Sequence, residues 1–298
     1  MRLTAYVLAS DPGNLEGSVL AYYDLVSRIV VSYDENGRGW TGAPAHTEEC
    51  LQRLRSIDRA KKMTFSPGHY ARVDNAPLDN DTFQRQAALD EASEGADWVL
   101  QIDTDEIIAA PHLFVRCIEE AAEANCAAVN YPATWLYSHA GGSWYLCRCR
   151  RGWRKMMDYP GPVAVRAGSR LEHCRRISAE YAFFHVDVKK SPSPLAWPNH
   201  VSVNKVIRAS EGIFHFSWVR PKPWLEAKLG SWSHSAGRDW SGDIQRWIDA
   251  NNYPITTTFR SQFVDMSLYN WPFMPVQIPE HVRGLLRQCL PVKEEVAS

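Results

Sequence analysis

The chain has 298 residues, 45% apolar and 22% charged, with a formal net charge of -1. That composition excludes a largely disordered chain, and the balanced charge gives no reason to expect a polyanion, so nucleic acid is not indicated as a partner. No run of about 18 apolar residues occurs, so no integral membrane segment is expected; seven cysteines with no CxxC pair argue against a disulfide framework or zinc ribbon and for a reducing, cytoplasmic setting.

Residues 3–10 (LTAYVLAS) predict a first strand, with an apolar core too short for a secretion signal. Asp11-Pro12-Gly13-Asn14 follows as a turn, and LEGSVLAYYDLVS carries helical apolar spacing. Residues 28–33 (RIVVSY) are β-branched and nearly continuous in apolar character, as in a strand buried on both faces, and end at Asp34-Glu35-Asn36-Gly37. Leu51, Leu54 and Ile57 recur at helical spacing, and KMTFS at 62–66 is a weaker third strand. Asp81-Thr82-Phe83-Gln84 reads as a capping box opening a helix that Gly95 closes. Residues 96–102 (ADWVLQI) form the fourth strand, Pro111 opens a helix carrying Leu113, Phe114, Cys117 and Ile118, and residues 127–131 are a further strand.

Strands alternating with helices predict an α/β fold with a mainly parallel, Rossmann-type sheet, whose ligands bind beyond the carboxyl ends of the strands. Beyond Tyr131 helix signals fade and SPSPLAWPNH at 191–200 reads as a long loop. A boundary is therefore expected near residue 131, between a ligand-binding half at 1–131 and an irregular half with a C-terminal extension at 132–298.

Asp103-Thr104-Asp105 leaves the fourth strand at the edge where a ligand belongs. Two carboxylates one residue apart suit a hard cation such as Mn2+ or Mg2+, which keeps waters and substrate phosphates among its ligands. Such an ion stabilises a departing diphosphate. The ordinary alternative is an Asp pair that caps the next helix. The preceding apolar run and the adjacent Glu106 crowd acids at one edge, which favours a cation.

The runs VVSYDENGRGWTG at 30–42 and RQAALDEASEGADWVLQIDTDE at 85–106 resemble the nucleotide-binding half of family 2 glycosyltransferases of the GT-A fold. The resemblance covers about residues 3–131. It implies a nucleotide-diphosphate sugar as donor and a hydroxyl-bearing acceptor. It implies that Ala9 and Ser10 contact the nucleoside, that Asp34 binds base or ribose, and that Arg85 helps hold the nucleotide. Asp103 and Asp105 form the metal motif, with Asp105 the direct ligand. EGIFHFSWVRPKPWLEAKL at 211–229 resembles the segment in which a His returns to the metal, making His215 the candidate; Lys228 and His234, just beyond it, are secondary candidates for phosphate, with a solvated helix face and a loop histidine as the ordinary alternatives. The alternatives are a turn-capping Asp34, an Arg85 that supports a helix pair and a core histidine at 215.

No segment marks a catalytic base; Glu172 and Asp187 are the carboxylates in the acceptor half. The basic RCRRGWRK at 148–155 suits an anionic acceptor, although a solvated strand with one packed Trp explains it as well. Cys147, Cys149, His173 and Cys174 are read as structural thiols and a neighbouring imidazole rather than a metal set. Neither a phosphate-cradling P-loop nor a GxSxG elbow is present. A nucleotidyltransferase and a nucleotide- or glycan-binding protein without turnover are the other readings. The first usually carries a basic Gly-rich loop after its first strand, and Ser10-Asp11-Pro12-Gly13 has no Lys or Arg.

Overall fold

The computed structural model describes residues 1–146, 149–150, 154–155, 157, 159–188, 202–233, 239–253 and 275–288. His234, the loop at 191–200 and half of the basic segment at 148–155 lie outside them, as does Cys147. In chain order the first half runs β1 (Leu3–Leu8), α1 (Leu15–Leu20), β2 (Ile29–Asp34), α2 (Thr47–Ile57), β3 (Met63–Gly68), α3 (Pro77–Ser93), β4 (Trp98–Gln101), β5 (Glu106–Ile108), α4 (Pro111–Glu123) and β6 (Ala128–Asn130). The strands β7 (Ala133–Ala140), β8 (Ser143–Leu146), β9 (Cys149–Arg150), β10 (Arg154–Lys155) and β11 (Ala164–Arg166) follow, then the hairpin β12 (Leu171–His173) and β13 (Arg176–Ile177). The remainder comprises β14 (Phe183–Val188), β15 (Lys205–Ile207), β16 (Ile213–His215), α5 (Lys222–Ser231), α6 (Ser241–Asn252), β17 (Pro275–Val276) and a helix at Glu280–Gln288.

The fold is α/β, as the alternating pattern predicts. Eight strands form one sheet in the order β15-β14-β6-β11-β4-β1-β2-β3. Every neighbouring pair is parallel except the two made by β11, which runs antiparallel between β6 and β4. The carboxyl ends of the other seven strands therefore share one edge. All six residues of β1 are buried, because helices cover both faces: α1, α2 and α4 belong to one core, and Leu89, Ala88 and Ala92 of α3 pack on the other face with Tyr6, Val30 and Val99.

A second sheet, in the order β17-β8-β7-β16-β5, is built on the segment that follows the aspartate motif. β5 pairs antiparallel with β16, setting His215 opposite Glu106, and β16 pairs parallel with β7. Three-residue strands such as β5 carry no periodicity, so the sequence reading runs from the motif directly to the helix at Pro111.

Two local expectations change. The third helix begins at Pro77, whose fixed φ and missing N–H suit the first helical turn. Asp81 and Gln84 thus lie inside the helix, freeing both side chains for tertiary partners instead of a capping box. Gly95 does end that segment, with φ of +66° in the left-handed region. The first helix stops at Leu20 and gives way to a 3-10 turn at Tyr23–Leu25. Cys50, Cys117, Cys126 and Cys174 are free thiols, the first three buried.

Candidate functional site

An open cleft lies at the shared carboxyl edge, beyond β1, β2 and β4. Ala9, Ser10 and Asp11 line it from the end of β1, Asp34 from β2, Gln84 and Arg85 from α3, and Asp103 to Asp105 from the turn after β4. The loop at 38–47 and the α5 face bearing Trp224, Lys228 and Ser231 form the opposite wall. These walls touch: a Cβ added at Gly39 would lie 2.6 Å from the Cβ of Ser231, and Thr41 Oγ1 donates to the carbonyl of Gly230 at 2.8 Å. Glycine is needed at position 39 for that approach.

Arginines hold the motif from below. Glu106, fully buried, receives a bidentate guanidinium from Arg175, Nη1 to Oε2 at 2.8 Å and Nη2 to Oε1 at 2.6 Å. Arg175 also donates to the carbonyls of Gln101 and Pro160, tying the β12–β13 hairpin to the end of β4. The Asp103 amide donates to Glu106 Oε2 at 3.1 Å and Ser18 Oγ donates to the Asp103 carbonyl at 2.9 Å. The turn that presents the aspartates is thus fixed by side chains distant in sequence.

Asp103 and Asp105 have different surroundings. Asp103 Oδ1 accepts from Arg85 Nη1 at 2.9 Å, and its Oδ2 lies 3.5 Å from Arg175 Nη2. Burial opposes ionisation here, but Arg85 and Arg175 outweigh it and hold the Asp103 carboxyl at about 2. Arg85 is itself anchored through Nε to Asp81 Oδ1 at 2.6 Å, and its guanidinium stands 5.9 Å from the Trp40 ring.

Asp105 is 3% exposed. Its Oδ2 meets Lys228 Nζ and, at 3.1 Å, Arg220 Nη2, while its Oδ1 lies 3.3 Å from His215 Nε2. Burial disfavours its charge, yet Lys228, His215 and Arg220 together keep its carboxyl well below the usual range. The reciprocal effect raises the His215 pKa, because Asp105 overcomes the penalty of burying an imidazolium. Phe216 N–H donates to the Asp105 carbonyl at 2.7 Å and the His215 ring stacks on Trp135, 5.8 Å between centroids and 12° between planes. The β5–β16 pairing is what delivers the histidine.

Asp105 and His215, whose oxygen and nitrogen stand 3.3 Å apart, are side chains whose chemistry could hold a divalent cation. Among the described residues no group of three or more His, Cys, Asp and Glu side chains converges on one point.

Asp34 lines the cleft, but both of its oxygens are engaged by the backbone. Oδ1 accepts from the amides of Asn36 and Arg38, and Oδ2 from those of Tyr70 and Ala71, at 2.8 to 3.3 Å. Those amides hold its carboxyl below the ordinary value despite burial. Asp34 therefore joins the loops after β2 and β3, the role foreseen for a turn-capping aspartate.

The structure does not bring Glu172 or Asp187 to this cleft. Glu172 is exposed on the β12–β13 hairpin, and Asp187, near the carboxyl end of β14, accepts from Tyr159 Oη at 2.7 Å. Asp11, Arg175 and Arg220 escaped the sequence reading. Arg220 is fully buried, pairs with Asp11 and Asp105, and lies five residues after His215, so the segment that singled out the histidine already contained it. Arg175 has no comparable signal.

No helix among the described residues is long and apolar enough to cross a membrane. No protein-family model and no curated protein matches the chain. Among solved structures it is similar to mannose-1-phosphate geranyltransferase from Thermus thermophilus, with 14% identity over 57% of this chain and 51% of that one and a TM-score of 0.27. The chain thus spans about half the length of that protein, and a likeness so slight carries no functional argument.

Proposed function

We propose that the cleft binds a nucleotide-diphosphate sugar and that the chain is a glycosyltransferase of the GT-A type, passing the sugar to a hydroxyl-bearing acceptor. The observation that supports this reading most is the meeting of Asp105, His215, Arg220 and Lys228 at the carboxyl edge of a mainly parallel sheet. A carboxylate–imidazole pair for a cation lies beside a buried guanidinium and an ammonium that lines the cleft, the latter suited to phosphate.

Residues 1–131 supply the nucleotide side and residues 132–298 the acceptor side, with His215, Arg220 and Lys228 crossing over to the donor. The nucleoside lies along Ala9 and Ser10, against the loop that Asp34 shapes and the wall made by Trp40, Gln84 and Arg85. Asp103 keeps Arg85 oriented toward that wall. Lys228, which lines the cleft, bears on the diphosphate, whose negative charge grows as the bond to the anomeric carbon breaks, while the buried Arg220 holds Asp105 in place. Asp105 and His215, with Asp103 alongside, would hold Mn2+ or Mg2+, which supplies Lewis-acid stabilisation of that leaving group.

The test is incubation with a panel of nucleotide sugars and Mn2+, following nucleoside diphosphate and pyrophosphate separately. Release of nucleoside diphosphate that stops on chelation supports the transferase. Pyrophosphate as the product points to a nucleotidyltransferase, and tight binding without turnover across acceptors points to a binding module.

A further inference from the structure

Two cations share Asp105 Oδ2, and they are held differently. The Arg220 side chain is fully buried and fixed between Asp11 and Asp105. Lys228 projects from α5 on a flexible stem, 17% exposed, with Ser217 Oγ at 3.2 Å and Asp11 Oδ2 at 3.6 Å as its other neighbours. Arg220 is part of the frame; Lys228 lines the cleft and can leave.

We propose that Lys228 is an internal plug for the metal site, displaced by the donor. While the ammonium sits on Asp105, a divalent cation on the same carboxylate meets a like charge within a few ångströms. Such a repulsion amounts to several kcal/mol at the effective dielectric of a protein surface. A diphosphate entering the cleft offers the ammonium an equivalent anionic partner. Lys228 then turns from Asp105 to the phosphate, and the carboxylate is released for the ion. Metal and diphosphate therefore bind with positive coupling, and linkage requires each to strengthen the other by the same factor. This inference rests on the transferase reading above and adds the order in which the site fills: the cleft does not load with free metal first.

The geometry also says why a lysine serves here. An arginine at 228 would engage the carboxylate through two fixed N–H groups, whereas an ammonium is a single point charge on a mobile stem. The adjacent Arg220 keeps Asp105 oriented after the plug has moved.

The experiment measures Mn2+ affinity by electron paramagnetic resonance of the free ion, first with Mn2+ alone, for wild type, Lys228→Met and Lys228→Gln. Removing the plug is expected to tighten binding of Mn2+ alone about tenfold, the size of a typical site-to-site coupling. The same titrations are repeated with UDP, GDP and ADP in turn, corrected for the complex each forms with Mn2+ in solution. Wild type is expected to gain more Mn2+ affinity from its preferred nucleotide than either variant gains. If wild type binds Mn2+ with a nucleotide but both folded variants bind Mn2+ alone no more tightly than wild type, the plug is overturned and the transferase reading stands. If wild type binds no Mn2+ with or without any of the three nucleotides, the metal-assisted reading fails and the plug with it.

Discussion

Asp105→Asn removes one charge from the centre of the site while keeping the shape of the side chain. Arg220 Nη2 lies 3.1 Å from Asp105 Oδ2, and a unit charge pair at that distance is worth about 5 kcal/mol at an effective dielectric of 20. Lys228 and His215 add to that attraction, but both retain some solvent exposure and His215 can give up its proton. The amide oxygen still accepts one hydrogen bond, so the net loss is expected to be about 2–4 kcal/mol in metal-free protein, in line with breaking a buried ion pair. Urea unfolding followed by tryptophan fluorescence reads it. In the Asp105→Asn background, Lys228→Met removes a cation that has lost its nearest carboxylate and keeps only the more distant Asp11, so its cost should fall by about 1–2 kcal/mol relative to the same change in wild type. A loss below about 0.5 kcal/mol for Asp105→Asn, or an equal cost of Lys228→Met in both backgrounds, would refute the electrostatic account of this centre.

Other expectations are independent of the donor. Arg175→Ala strands the fully buried Glu106 without its guanidinium and should cost about 3–5 kcal/mol in the same unfolding assay, with Arg175→Lys intermediate because it keeps charge but loses the fork. Gly39→Ala places a methyl 2.6 Å from Ser231 Cβ, so the loop and α5 must separate; a loss of about 1–3 kcal/mol and a weaker nucleotide response are expected, and an unaffected stability would contradict the close approach. His185 is pushed down to about 4 by burial, against an ordinary 6.5. Its imidazole takes up a proton in the unfolded chain before it does so in the folded one, so stability should be complete above pH 6.5 and fall by about 1–3 kcal/mol as pH drops toward 4. His185→Gln should flatten that slope.

What the sequence revealed follows the range of the interactions involved. β1, β2 and β4 are buried on both faces and appear as near-continuous apolar runs, so the parallel sheet and the position of Asp103-Thr104-Asp105 at its edge were legible. The capping box at Asp81 misled because Asp81 and Gln84 bond across space, to Arg85 within the helix and to Trp40 in the facing loop. β5 and β16 are three residues each and exist through their mutual pairing, so the sheet that carries His215 to Asp105 could not be read locally. His215 itself was found by resemblance. Arg175 comes from a short hairpin whose significance lies wholly in reaching Glu106 across 69 residues. Beyond Tyr131 the described residues form mostly short strands, which leave little periodicity to read, and neither carboxylate named there as a base reaches the cleft.

A divalent cation held by Asp105 and His215 beside a nucleoside diphosphate is the centre of the proposed chemistry. Pulsed electron paramagnetic resonance of Mn2+ bound with UDP, GDP or ADP probes it at the ion itself, because magnetic nuclei bonded near the metal report themselves. A nitrogen coupling that disappears in His215→Gln is expected, together with a phosphorus coupling from the diphosphate. Bound Mn2+ that shows phosphorus but no nitrogen in wild type, or the same nitrogen coupling in wild type and His215→Gln, would contradict it.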